Sequence, residues 1–256
     1  MRTAIISKRS LAAVAIAVAL IAAASAAVAT TDSACVYLGY SPRHVPVYSV
    51  EREDKVVALT FDAAWGAERT PDILATIEEY DVCATFFSVG MWAEKYPDRL
   101  KALYDSGRFE IGTHSNTHPD MGGMSASDIK DELTLSCDII ENVTGERPEL
   151  FRPPYGSYSD VLIETASELG LITVQWDVDT LDWKGLSAGE IAKRVLGSVR
   201  NGSIVLMHNN GEHTVEALPL ILEGLKSMGY TCMKAGDMIY RDNYTIDHTG
   251  RQIRSV

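Results

Sequence analysis

The chain has 256 residues, 46% of them hydrophobic and 23% charged, with a formal net charge of −12. That is enough apolar material for one sizeable core, and the ordinary charged fraction excludes a disordered chain. The acidic balance argues against nucleic-acid binding through a basic surface.

Residues 1–10, MRTAIISKRS, carry Arg2, Lys8 and Arg9, and residues 11–29 carry no charge. A basic start, an apolar run and the small residues Ala27–Ala29 predict a signal peptide. The alternative is a retained membrane anchor through 11–29, since the run is nearly long enough to span a bilayer. Either reading places the rest of the chain outside the cytoplasm. Loss of 1–29 would make the chain three units more negative. Residues 30–52, with Pro42 and Pro46, read as a linker or N-terminal arm.

From residue 55 apolar runs alternate with amphipathic stretches. VVALTF (56–61) suits a fully buried strand. Thr70 as N-cap and Pro71 in the first turn open a helix whose apolar face holds Ile73, Leu74 and Ile77. CATFFSV (83–89) is the next strand, 92–106 a helix, and FEIGT (109–113) a third strand. The longest helix spans 125–144 and stops at Gly145 and Pro148. LFRPP (150–154) begins as a strand that its prolines cut short. A helix over 159–169 precedes LITVQWDV (171–178), read as one strand. Ser187 and Glu190 form a capping box for a helix over 188–200. SIVLMH (203–208) is a strand, 214–228 a helix, and YTCM (230–233) a last short strand. Residues 244–256 read as a C-terminal tail.

About seven strand–helix units in alternation indicate an α/β protein with a parallel sheet. Asp62, His114, Arg152, Asp179 and His208 each fall at, or just past, the C-terminal end of a different strand. A barrel gathers those ends on one face. The expected architecture is therefore a distorted, incomplete (β/α) barrel over 53–243. Cys35, Cys83, Cys137 and Cys232 form no CxxC pair, which argues against a cysteine zinc site; buried single thiols are expected.

Chemistry concentrates in five places. In HSNTHP, His114 and His118 are spaced so that two imidazoles can reach one metal ion. In RPPYG, a proline pair stiffens the backbone behind Arg152, so its guanidinium can fork onto a carboxylate. TFDAAWG (60–66) ends a buried strand on Asp62. DVDTLDW (177–183) supplies three acids and Trp183, and LMH ends a strand on His208. A nucleophile elbow, a phosphate loop and a GxGxxG pattern are all absent.

In that order these motifs resemble the five motifs of the NodB-like polysaccharide deacetylases (carbohydrate esterase family 4), over about residues 55–240. The resemblance implies a distorted (β/α) barrel that removes N-acetyl groups from chitin-like or peptidoglycan sugars with one divalent metal, Zn²⁺ or else Co²⁺ or Mn²⁺. It implies Asp62 as general base, oriented and kept ionised by Arg152, and His114 and His118 as metal ligands. It pairs Asp179 with His208, the acid that protonates the leaving amine. The Tyr155 N–H would hold the oxyanion, and Trp183 and Leu206 would line the acetyl pocket. The family's usual third ligand, an Asp directly after the base, is Ala63 here. The same form resembles the sporulation-associated (PdaB-like) subset. The implied protein is an exported, monomeric deacetylase of cell-wall or spore-cortex glycan with an altered metal site. The alternative is a glycan-binding pseudoenzyme.

Overall fold

A computed structural model describes residues 43–255. The leader, most of the arm and Cys35 lie outside the described residues. The strands are β1 Ser49–Val50, β2 Val56–Ala63, β3 Ala84–Ser88, β4 Phe109–Thr113, β5 Leu150–Phe151, β6 Ile172–Thr173, β7 Val178–Asp179, β8 Ser203–His208, β9 Thr231–Cys232, β10 Tyr244–Ile246 and β11 Arg251–Arg254. The helices are α1 Thr70–Glu79, α2 Gly90–Lys95, α3 Pro97–Asp105, α4 Ala126–Thr144, α5 Asp160–Glu168, α6 Ala188–Ser198, α7 Thr214–Ser227 and α8 Ala235–Met238. β8, β2, β3, β4, β5 and β6 run side by side in one parallel sheet. With the helices packed outside, this is the distorted, incomplete (β/α) barrel that the alternation predicts.

The stretch 171–178 is two strands rather than one. Its first part pairs with β5, while Val178 and Asp179 pair with β8. Between them Val174 bridges Val47, and the Gln175 N–H donates to the Val47 carbonyl at 2.7 Å. This segment therefore closes the barrel by switching partners, and the sheet's twist breaks it in the middle. The expected helix 92–106 is also two. Tyr96 leaves helical geometry and Pro97 restarts the chain as α3. Thr70 does not cap α1, because Arg69 holds the N-cap position and Thr70 is already helical. The capping box of Ser187 and Glu190 on α6 is formed.

The domain extends past both ends expected for it. Ser49–Val50, expected in the arm, pairs with β8 and β11, and Arg251–Arg254, expected in the tail, runs parallel to it. Gln252 is fully buried there, clamped by the Tyr240 N–H and carbonyl at 2.8 Å each. Two- to four-residue strands with polar side chains carry no periodic signal, and their stability comes from pairing.

β2 shows how the two faces of the sheet divide. Val57, Leu59, Phe61 and Ala63 pack into the outer core against the helices, with Ile73, Ile77, Leu218 and Leu225. Val56 and Ala58 pack inside the barrel with Phe87, Leu150 and Ile204. The period-2 alternation then sends Thr60 and Asp62 into the barrel interior. Cys83, Cys137 and Cys232 are free thiols. Burial pushes Cys137 up to about 11 and Cys232 to about 12, the inert thiols expected, whereas Cys83 is only half-buried.

Candidate active site

Asp62 stands at the C-terminal end of β2, directly in register with His208 on β8. Its carboxylate is buried and meets Arg152, whose side chain is fully buried. The contact is single rather than the expected fork. Arg152 Nη1 donates to Asp62 Oδ1 at 2.8 Å and to Thr60 Oγ1 at 2.7 Å, and Nη2 donates to the Gln175 carbonyl at 2.9 Å. The guanidinium lies over the Phe87 ring, 4.2 Å from its centre. Nη2 goes to the Gln175 carbonyl and Nη1 is shared between Thr60 and Asp62, so a single nitrogen reaches the carboxylate. Asp62 Oδ2 is thus turned toward the open end of the barrel, 3.6 Å from His114 Nε2.

His114 follows β4, and its Nδ1 lies 2.7 Å from the Arg152 carbonyl. A carbonyl only accepts, so Nδ1 carries the proton and the Nε2 lone pair is unspent. His118 packs edge-on to His114, with ring centres 4.9 Å apart, and its buried Nδ1 has no hydrogen-bond partner. Burial lowers both imidazoles; for His118, with help from His114, the value falls to about 4. Both rings are neutral at pH 7.

The loop that presents them is held by Glu132 of α4. One carboxylate oxygen accepts the Asn116 and Thr117 N–H groups at 2.8 and 2.9 Å, and the other accepts the Thr117 hydroxyl at 2.7 Å. Ser115 and His118 both take positive φ, 67° and 63°. Nothing in the motif signals this anchor, which lies 14 residues beyond His118.

Two neutral imidazoles with unspent lone pairs, one of them an orphaned buried nitrogen, fit a divalent ion. Among the described residues no group of three His, Cys, Asp or Glu is placed to hold a metal. Ala63 ends β2 on the face opposite Asp62, its methyl fully buried in the outer core.

The expected pairing of Asp179 with His208 is not made. His208 Nδ1 lies 2.7 Å from Asp182 Oδ1. Asp182 Oδ2 accepts the His208 N–H at 2.8 Å and the Thr214 hydroxyl at 2.6 Å. Asp179 instead turns its carboxylate back on its own loop, accepting the Leu181 N–H at 2.9 Å. Leu181, at φ 54°, bends the chain so that Asp182 rather than Asp179 drops beneath β8. Burial opposes the charged forms of both partners, but their hydrogen bond and mutual charge outweigh it. His208 is raised above its ordinary value and Asp182 lowered below its own.

These groups surround a cavity of about 730 Å³, within the range of small-molecule sites. Tyr155, Trp183 and Leu206 all line it. Tyr155 takes φ 59°, with its side chain 68% exposed, and Trp183 is 60% exposed. Trp65 and Trp176 also border it, and neither received a role from the sequence. For Trp65 the available signal was a large aromatic placed directly after two alanines at a strand end.

The sequence matches the family model described as polysaccharide deacetylase over residues 49–174. It is 38% identical over 177 residues to a peptidoglycan-N-acetylglucosamine deacetylase of Bacillus cereus, covering 68% of this chain and 64% of the relative. It is 31% identical over 197 residues to the peptidoglycan-N-acetylmuramic acid deacetylase PdaA of Bacillus subtilis, covering 75% and 74%. Against the first curated relatives that it matches, the chain spans between 41% and 64% of their length. Among solved structures, a carbohydrate esterase family 4 pseudoenzyme from Bacillus anthracis superposes with TM-score 0.73 at 36% identity, over 76% of this chain and 68% of that one. A mutant of that pseudoenzyme with restored enzymatic activity superposes equally well.

Proposed function

This chain belongs to the polysaccharide deacetylase family, and we propose that it acts on N-acetylated amino-sugar glycan of the cell wall, outside the cytoplasm, by hydrolysing the acetamide. The observation that carries this reading is the register match of Asp62 and His208 on adjacent strands, each backed by its own buried partner. In the proposed reaction Asp62, fixed by Arg152 with Oδ2 free, takes the proton of the attacking water. His208, kept protonated by Asp182, gives a proton to the departing amine nitrogen. Tyr155 offers its backbone N–H to the carbonyl oxygen as charge develops there, and Leu206 and Trp183 flank the acetyl methyl. Asp179 has no proton-transfer role in this scheme, although its negative charge adds to the raised value of His208. His114 and His118 would hold a divalent ion, which when bound supplies Lewis-acid polarisation and acidifies water.

A second reading, glycan binding without turnover, is favoured by one feature. Ala63 offers no carboxylate, and a site of two neutral imidazoles attracts a dication less than one completed by an acid. The pseudoenzyme among the similar structures makes that reading concrete. The deciding experiment is acetate release from N-acetylated glycan fragments, with bound metal counted, for the wild type and Ala63→Asp. Turnover by the wild type supports the deacetylase. Turnover only in Ala63→Asp supports a binding protein with a dormant site. No release by either, with no glycan bound, would falsify both readings. The sporulation link implied by the motif form and the export implied by the leader belong to the same proposal. They are tested by locating the protein in fractionated sporulating cells.

A further inference from the structure

Trp65 presents a feature that the chemistry above does not use. It is 68% exposed, whereas Trp92, whose indole N–H reaches the neighbouring Gly66, is fully buried. Exposure of so large an apolar ring at a cavity mouth marks a contact surface. The segment carrying it is fixed. The Gly66 carbonyl accepts the Trp92 indole N–H at 2.6 Å and the Asn209 side-chain amide at 2.8 Å. Gly66 itself takes φ +65°, and a Cβ there would come within 2.4 Å of Asn210.

Trp65 meets His118 edge-on, with ring centres 4.9 Å apart. Tyr155 meets the same imidazole at 4.7 Å and is equally exposed. Two held, solvent-facing aromatic rings therefore flank the imidazole at the point where the reacting acetamide must lie. Aromatic rings of this kind supply apolar area at low conformational cost. The apolar C–H face of a pyranose is their natural counterpart. The cavity lining is rich in carboxylates, Asp62 and Asp182 among them, so an uncharged sugar suits it better than an anionic one.

We propose that Trp65, with Tyr155, forms an aromatic subsite that stacks an uncharged N-acetylhexosamine ring beside His118. The inference rests on the glycan reading above and adds a residue that sets affinity for the sugar. Its test is calorimetric titration of N-acetylchitopentaose into the wild type, Trp65→Ala and Trp65→Phe, with the melting temperature of each recorded. Trp65→Ala is expected to weaken binding at least about tenfold, or about 1.4 kcal/mol. Trp65→Phe should stay within about threefold of the wild type, and all three should melt alike because the ring adds little to the core. Binding by Trp65→Ala equal to that of the wild type overturns the subsite and leaves the glycan reading standing. Equal loss in Trp65→Phe and Trp65→Ala overturns it too. A wild type that binds no pentasaccharide overturns the glycan reading and the subsite together.

Discussion

Replacing Asp182 by Asn keeps the side chain's shape and removes its charge. Asp182 is buried and accepts three hydrogen bonds, of which the one from His208 Nδ1 at 2.7 Å is charge-assisted. Losing a charged partner of that kind costs about 1.5–3 kcal/mol. For a domain of this size that is a fall of roughly 3–12 °C in melting temperature. The sign of the pH dependence follows from the two shifts. His208 is raised, so its contribution is complete below the unfolded imidazole value and fades as pH rises through the folded one. Asp182 is lowered, so its contribution is complete above the unfolded carboxylate value and fades as pH falls through the folded one. The gap between wild type and Asp182→Asn should therefore be widest between about pH 4 and 6.5 and narrower at about pH 9. Denaturant unfolding followed by tryptophan fluorescence at pH 5.5 and 9 measures it. Asp179→Asn is the control, expected to cost less than about 1 kcal/mol because the amide oxygen can still accept its one hydrogen bond, from the Leu181 N–H. A gap that does not change with pH, or an equal loss in Asp179→Asn, would refute the pairing.

Arg152→Met leaves the buried Asp62 carboxylate without its cation and should cost about 3–5 kcal/mol in denaturant unfolding; adding Asp62→Asn should recover part of that loss, since the stranded charge is then gone. Gly202→Ala should cost about 2 kcal/mol or more, because φ is +76° and a Cβ would lie 1.9 Å from the Val50 carbonyl oxygen. Gly170→Ala, at φ +79° with open space around it, is the matched control and should cost only about 1–2 kcal/mol. Ala63→Asp places a carboxylate where a methyl is fully buried, so it should melt below the wild type without metal. Zn²⁺ should then raise its melting temperature more than that of the wild type, as expected when an ion binds only the folded state.

Much of the fold could be read from the chain because its causes are local. The apolar run of β2, the Ser187–Glu190 capping box and the stop at Gly145 act over a few residues. The alternation of strands and helices then compels a parallel sheet whose C-terminal ends share a face. That places Asp62, His114, Arg152, Asp179 and His208 at one end of the barrel from the sequence alone. The family was legible for the same reason, since its motifs are the strand ends themselves.

What the sequence could not decide was which groups touch. Asp179 and Asp182 are three residues apart on one loop, and either could face His208 as far as spacing goes. The choice falls to the Leu181 bend and to the pairing of β7 with β8, which joins segments far apart in the chain. The single contact between Arg152 and Asp62 is likewise set by the Gln175 carbonyl, which takes Nη2, and by Thr60, which shares Nη1 with the carboxylate. Glu132 reaches the histidine loop only because α4 packs beside it, and β1 and β11 exist only through their pairing within the sheet. The sequence determined the residue types available at the strand ends, because side-chain alternation and helix periodicity are local. Tertiary structure decided their partners, because register and barrel closure fix distances between residues that no local rule relates.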